Sequence, residues 1–500
     1  MCNQLSGAPQ LKTIHELNHD QSYANLPDNF FHRVAPEGLK DPYIIDFNEH
    51  AAELINLSHD QKNDADFLAY MSGNKVMPGT TPLAAVYSGH QFGHYVPQLG
   101  DGRAVLLTEI INEDGSRWDL QLKGAGLTAF SRQGDGRAVL RSTVREYLCS
   151  EAMHHLGIPT TRGLCIIGSD TDVYRERIEK GAMITRMAPS HIRFGTVQYF
   201  YHTNQHEMLT TLLDYLINMH YPEFRDSATK YEELLEAIVI RTAKLMAQWQ
   251  SVGFAHGVMN TDNMSVLGLT MDYGPFGFLD NYNPKYICNH SDPHGRYAFD
   301  QQPNIGLWNL TCLAEAFTPL IRIDSAKEAL GKYEAAYSNT YIDIMLKKLG
   351  FAQYQPEHLN LIKDLLSQME ESNADYTITL RQLSNFDAEQ IKQPDSLALR
   401  DSFINRDKFD VWAQAYAAAL KAENQPAFLK KKKMDAANPK FILRNHLAQI
   451  AIEKAEKGDY EELKRLKKIL SKPFDEQAEY EEYASHPPEW AQHIEISCSS

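Results

Sequence analysis

At 500 residues with a formal net charge of −16, the chain is long enough for two or three domain-sized cores and too acidic for nucleic acid to be its main partner. Its 43% hydrophobic and 23% charged residues, with 28 Gly and 22 Pro, exclude a fibrous, collagenous or broadly disordered protein. No apolar run nears the roughly 20 residues of a membrane helix, the start carries no signal or transit pattern, and the cysteines at 2, 149, 165, 288, 312 and 498 form no C-x-x-C pair, so a cytoplasmic protein without membrane partners and with mostly reduced thiols is expected.

Residues 1–80 read as an N-terminal extension with short helical patterns at "EHAAELINL" and "ADFLAYMSG". "GRAVLLTEIIN" and "RWDLQLKG" are β-prone runs joined by the turn signal "EDGS". "AVLRSTVREYLCSEAMHHLG" has apolar residues at helical spacing and stops at Gly157 before Ile-Pro. "LCIIGSD", "DVYRERI" and "GAMITRM" read as three further strands. Beyond residue 205 the helical period dominates, in "MLTTLLDYLINMHY", "YEELLEAIVIRTAKLMAQWQSVG", "IGLWNLTCLAEAF", "YEAAYSNTYIDIMLKKLG" and "FDVWAQAYAAALKAE", while "MSVLGLTMDYG" resembles a hairpin. The single basic run, 430–433, reads as a solvated turn. The expectation is an α+β chain in the order of a two-lobed, protein-kinase-like fold. It has a small β-rich lobe over 81–195, a larger helical lobe over 196–350 and a helical extension over 351–500.

Chemistry concentrates in a few places. "GDGRAVL" occurs twice, at 100–106 and 134–140. A Gly-Asp-Gly turn with an adjacent Arg suits a polyphosphate, although Asp-Gly is also an ordinary hairpin signal. Between the copies lies Lys123, sharing a strand face with Gln121; Glu146, 23 residues on, is placed to hold it from the following helix, as a kinase glutamate holds its strand lysine. "AHGVMNTDNM", 255–264, follows the kinase catalytic loop H-R-D-x-x-x-x-N in its His256 and Asn263. The position of the base, however, is Val258, which cannot accept a proton. Nine residues past Asn263, Asp272 opens a "DYG" that stands for the kinase Asp-Phe-Gly, and an Asn carbonyl with an Asp carboxylate suits Mg²⁺ or Mn²⁺ bridging phosphates. Arg186 and Arg193 are candidate phosphate clamps. "GHQFGH" spaces His90 and His94 as in a zinc helix, but Gln91 stands where the base would be and Gly93 weakens the helix. His290, Asp292 and His294 read as a structured polar loop.

The blocks "SGHQFGHYVPQLGDGRA", "QLKGAGLTAFSRQGDGRAVLRSTVREYL", "HGVMNTDNM…DYGPFGFLD" and "CNHSDPHGRYAF" resemble the selenoprotein O family, from about residue 80 to the "SCSS" terminus. That resemblance implies a kinase-like fold that moves AMP from ATP onto Ser, Thr or Tyr hydroxyls of other proteins, with UMP from UTP as a variant for bacterial members. The nucleotide is implied to bind flipped relative to kinases, and Asp262 to serve as the relocated base. It further implies Lys123 on the phosphates with Glu146 orienting it, and Gly100, Gly102, Arg103, Asp135 and Gly136 lining the nucleotide. Arg186 and Arg193 would hold the γ-phosphate, Asn263 and Asp272 the Mg²⁺ or Mn²⁺. Eukaryotic members carry selenocysteine near the C-terminus where this chain has Cys498, and the resemblance supports an inhibitory disulfide between Cys288 and Cys498, the polar tail leaving that thiol accessible. A monomer is expected. The competing readings are a nucleotide-binding pseudokinase scaffold and a small-molecule kinase.

Overall fold

The computed structural model describes residues 10–389, 391 and 398–496. Its strands in chain order are β1 His19–Asp20, β2 Phe31–Arg33, β3 Tyr43–Phe47, β4 Leu83–Ala85, β5 Gly89–Gln91, β6 His94–Val96, β7 Ala104–Ile111, β8 Arg117–Lys123, β9 Ala138–Val139, β10 Arg162–Tyr174, β11 Ile178–Ala188, β12 Phe254–Ala255 and β13 Gly277–Phe278. Nine of them form one sheet in the order β2-β4-β7-β8-β11-β10-β3, with β1 added on β7 and β9 on β11. The segment read as an extension thus supplies β1, β2 and β3 to this sheet. Short polar runs such as His19–Asp20 and Phe31–Arg33 carry too little alternation to be recognised alone; partners far along the chain make them strands.

Alternation along β7 and β8 divides the core. Val105, Leu107, Leu120 and Leu122 face a cluster closed by Ile14, Phe47, Ile55, Phe67 and Met71 from the N-terminal segment. On the other face, Ile166, Ala182 and Ile184 pack against Val144, Tyr147 and Leu148 of the helix Leu140–His155. The sheet is therefore a central layer, and period-2 patterning is what sends successive side chains to opposite layers. The second heptapeptide does not start this helix at Ala138: Ala138 and Val139 pair with β11, and the helix begins at Leu140. "DVYRERI" is not one strand. β10 runs through a bulge between Gly168 and Asp172 to Tyr174, and β11 starts at Ile178, so the run contains the hairpin turn.

Beyond the sheet come helices Phe194–His202, His206–His220, Lys230–Ser251 and Gln302–Phe317. They share the sheet's second cluster with Leu447, Leu463 and Leu466 from helices Asn445–Ala455 and Glu461–Leu470. A third cluster joins helices between 333 and 437 around Trp412 and Tyr416. Residues 264–274 form no hairpin; they bridge outward, Ser265 to Arg193 and Thr270 to Thr160. The basic run lies on the helix Ala427–Ala437, where Lys430 donates to the Phe386 carbonyl at 2.9 Å. No helix among the described residues is long and apolar enough to cross a membrane.

Three ties fix the helix that carries Glu146. Glu151 receives Arg162 of β10 in a fork, at 2.8 and 2.7 Å, with both residues 3% exposed. Asp46 of β3 accepts Tyr147 Oη at 2.6 Å and also the Lys467 ammonium. Arg145 lies over the Phe276 ring at 4.4 Å and donates to its carbonyl at 2.9 Å. Forked Arg–carboxylate pairs in a dry setting are among the more directional contacts a protein makes, so sheet, C-terminal helices and the segment after Asp272 all lock one helix.

Candidate active site

A cleft of about 430 Å³ opens between the sheet and the 256–275 segment. One face of β8 carries Asp119, Gln121 and Lys123, because residues two apart share a face, and Lys123 at its end lines the cleft. This polar face does not look into open solvent, as a strand lysine ordinarily would: Lys123 is 9% exposed and bonded to Glu146 Oε2. Burial pulls its ammonium below the ordinary lysine value, and the Glu146 charge opposes that shift. Arg186, on β11 beside β8, reaches Glu146 Oε1 at 3.3 Å, Asp272 Oδ1 at 2.5 Å and the Gln121 carbonyl oxygen. Arg193 contacts the other Asp272 oxygen, donates to the Asp262 carbonyl at 2.8 Å and stacks 4.7 Å from the Tyr87 ring centroid. Burial pushes the Asp272 carboxyl up, but Arg193, Arg186 and Lys123 outweigh it and hold the group well below the ordinary carboxylate range.

Both Gly-Asp-Gly turns line the same cleft, and the loop after β8 packs on the first of them. Gly100 (φ +106°) lies under Phe130, where a Cβ would come within 2.4 Å of the ring. Gly136 (φ +68°) lies against Gly126, where a Cβ would meet its carbonyl at 1.9 Å. Ser131 Oγ bonds the Gly102 carbonyl at 2.5 Å. The two aspartates differ. Asp135 accepts both Arg175 nitrogens at the rim, at 2.7 and 3.0 Å. Asp101 is 3% exposed, accepts from Gln121 at 3.2 Å and lies 3.9 Å from Arg193. Arg103 is exposed at the cleft. Asp101, Gln121, Gln91 and Tyr87 belong to this constellation and were not singled out as site residues from sequence. Asp101 lies inside the repeated heptapeptide and Gln121 two residues from Lys123, so a signal existed for both.

Across the cleft, His256 is buried and neutral, its Nε2–H on the Met271 carbonyl at 2.9 Å and its Nδ1 accepting from Val258 N at 3.3 Å. It shapes the loop and takes no part in the cleft lining. Val258 lines the cleft as an apolar wall. Asp262, in a short 3₁₀ turn Thr261–Asn263, is 7% exposed. Burial raises its carboxyl to about 6, against the lowering effect of the Gln91 amide and Arg193. Asn263 Nδ2 donates to the Val258 carbonyl at 3.1 Å, which turns its Oδ1 away from that carbonyl. No group of three or more His, Cys, Asp or Glu among the described residues could hold a metal ion. Asn263 and Asp272 offer two oxygen donors, a set that fits a hard cation completing its shell from phosphate and water, not a closed protein cage.

His90 and His94 are no helical zinc pair; they stand on the two strands of the β5–β6 hairpin. Asp292 organises its polar loop by accepting from Arg296 N at 3.1 Å and Tyr297 N at 2.7 Å. Cys288 is buried, and a Cβ on Gly257 of the 256–263 loop would lie 2.7 Å from its sulfur. The tail is not loose up to its last described residue: Ile496 is 6% exposed, and its carbonyl accepts from His290 N at 2.9 Å. Cys498 lies outside the described residues.

Comparison with known proteins adds to this geometry. Residues 13–471 match the family model of protein adenylyltransferase SelO. The chain is 50% identical over 491 residues to protein nucleotidyltransferase YdiU of Thiobacillus denitrificans, covering 98% of this chain and 100% of the relative. Similar proteins of the same name occur in Myxococcus xanthus, 51% identical over 490 residues with the same coverage, and in Pseudomonas fluorescens SBW25, 49% over 494. The chain belongs to the SelO protein adenylyltransferase family, and its activity is nucleotidyl transfer.

Proposed function

We propose that this member of the family transfers AMP from ATP, or UMP from UTP, onto Ser, Thr or Tyr hydroxyls of other proteins, on a kinase-like two-lobed scaffold that binds the nucleotide flipped. The observation that carries the reading is the placement of Asp262: a buried carboxylate with its pKa near 6 on the cleft wall facing Lys123, Arg186 and Arg193. A base with that pKa is largely ionised at neutral pH yet still basic enough to accept a hydroxyl proton. Val258, at the kinase position for the base, offers no proton acceptor.

In the proposed reaction, the acceptor oxygen bonds to the α-phosphorus as its proton passes to Asp262, and the bond from that phosphorus to the bridging oxygen breaks, releasing pyrophosphate. Lys123, Arg186, Arg193 and the exposed Arg103 stabilise charge developing on the phosphates, which is how fixed cations in a dry site lower such a barrier. Mg²⁺ or Mn²⁺, bound by Asn263 and Asp272, would neutralise phosphate charge when present. The two arginines are held by Asp272 here, so an incoming polyphosphate competes with that carboxylate for them. Incubation of the protein with soluble bacterial protein and ATP labelled at the α or at the γ position tests the reading. Acid-precipitable α label is expected. Precipitable γ label would make it a kinase, and neither label a nucleotide-binding scaffold.

A further inference from the structure

The hairpin β5–β6, which holds the "GHQFGH" segment, has no part in the nucleotide chemistry described so far. Its backbone is pinned to the catalytic loop on both sides of Gln91: His90 N donates to Thr261 Oγ1 at 2.7 Å, and Phe92 N donates to Asn260 Oδ1 at 3.2 Å and to Tyr297 Oη at 3.0 Å. Thr261 is in turn held by Gln198 at 2.6 Å, and Gln198 by His90 at 3.1 Å. Phe92 makes its two bonds from a left-handed backbone, φ +49°, a conformation unfavourable for an aromatic residue. Strain of this kind persists where surrounding contacts over-determine it. What it fixes is the residue between.

Gln91 lines the cleft and donates from Nε2 to Asp262 Oδ2 at 3.1 Å. Among the described residues no other side chain donates to that carboxylate; Arg193 bonds the Asp262 main-chain carbonyl instead. The other oxygen, Oδ1, is buried without a hydrogen-bond partner and packs on Gly89, where a Cβ would intrude to 2.5 Å. An aspartate's terminal torsion is broad and roughly two-fold, so the backbone alone does not decide where its oxygens point. One donor on one oxygen, and a bare Gly backbone against the other, do decide it.

We propose that Gln91 is a positioning residue for transfer: its amide fixes the Asp262 carboxylate in the orientation that takes the proton of the acceptor hydroxyl. The inference rests on the reading of Asp262 as the base. It leaves nucleotide binding to the residues across the cleft and gives the hairpin a task on the acceptor side.

The test uses the full chain with Gln91→Met, which keeps length and removes the donor, Gln91→Glu, which keeps length and substitutes an acceptor, Asp262→Asn, and the double variant Gln91→Met with Asp262→Asn. Label from α-labelled ATP on soluble bacterial protein gives the rate at saturating nucleotide and the nucleotide KM; thermal melts establish that each variant is folded. Both Gln91 variants are expected to lose about 10- to 100-fold in the saturated rate, the scale of a misplaced catalytic group, with nucleotide KM within twofold of wild type. The double variant is expected to match Asp262→Asn, since Gln91 acts only through that carboxylate. A hairpin role confined to stability would lower the melting temperature without this split. Gln91 variants at wild-type rate beside an inactive Asp262→Asn would overturn the inference alone, as would a double variant slower than Asp262→Asn by the full Gln91 factor. Asp262→Asn at wild-type rate would overturn the base reading itself.

Discussion

Gly89→Ala adds one methyl group to the wall behind Asp262 and changes no charge or hydrogen-bonding group. The new Cβ would lie 2.5 Å from Asp262 Oδ1, 2.9 Å from its Cβ and 3.0 Å from Cγ. Ordinary contact between such atoms is about 3.5 Å, so something must withdraw by about 1 Å. The Gly89 backbone cannot: β5 is paired with β6, Ser88 N is bonded to the Gly195 carbonyl at 3.0 Å, and His90 N to Thr261 at 2.7 Å. The Asp262 main chain is held by Arg193 at 2.8 Å. The carboxylate is what moves. A shift of about 1 Å in a reacting group costs on the order of 100-fold in rate, and overpacking a tight site costs about 1–3 kcal/mol of stability. Gly89 does not occupy the left-handed region, so alanine brings no backbone strain to confuse the result. The assay pairs α-label transfer to protein with nucleotide affinity by fluorescence titration. The expected outcome is a rate about 100-fold lower at nearly unchanged affinity. A folded Gly89→Ala protein transferring within threefold of wild type would refute the placement of the base at Asp262.

Lys123→Ala should lower transfer by about 10²–10³-fold, the scale of one preorganised charge, and cost about 1–3 kcal/mol of stability because the buried Glu146 loses a partner, limited because Arg186 still reaches Glu146 at 3.3 Å; wild-type transfer would remove Lys123 from the nucleotide site. Asp272→Asn frees Arg186 and Arg193 from a carboxylate, so nucleotide binding without metal should tighten severalfold while metal-dependent transfer is lost; weaker metal-free binding would show that the arginines do not meet phosphate. Arg444→Met removes the partner of the buried Asp375, at 2.9 Å, and of the partly exposed Asp280, at 2.5 Å, and should cost about 3–5 kcal/mol through Asp375; a melt within 1 °C of wild type would contradict that burial. Oxidised protein should yield a Cys288–Cys498 peptide with transfer recovering in dithiothreitol, because Ile496 is already docked on His290, two residues from Cys288; full alkylation of both thiols under oxidising conditions would exclude the bond.

Sequence reading went furthest where one residue type at one spacing has a single physical meaning. The β7–β8 hairpin, the 140–155 helix and the Lys123–Glu146 contact were all legible, because each rests on local period and a turn or stop signal. It failed where meaning came from partners. β1 and β2 are strands because β7 and β4 accept them, and "GHQFGH" is a hairpin whose His90 and Phe92 amides bond residues 261 and 260. The two identical heptapeptides have opposite fates: one Asp is interior beside Arg193, the other is at the rim under Arg175. Nothing in seven shared letters distinguishes them; the strands that follow do, since Ala104 enters an eight-residue central strand and Ala138 a two-residue edge.

The same dependence on partners bears on how such an enzyme could be controlled. A site that needs a glutamate beside a lysine can be switched by moving the helix that carries the glutamate. Here that helix is tied to β10 through Glu151 and Arg162, to β3 and the C-terminal helix through Asp46, Tyr147 and Lys467, and to the segment after Asp272 through Arg145. Releasing it would break a forked buried ion pair whose loss costs about 3–5 kcal/mol, before any apolar surface of the 445–470 helices is exposed. A ligand or modification able to drive that motion would need a differential affinity of about 150- to 5,000-fold between the two states. Control through this helix is therefore the expensive route. The 256–263 loop has fewer ties, because Gly257 lies against Cys288 and Ile496 bonds His290, two residues on. Gly257 is next to Val258, whose carbonyl holds Asn263 at 3.1 Å, so that contact bears on the turn that carries Asp262.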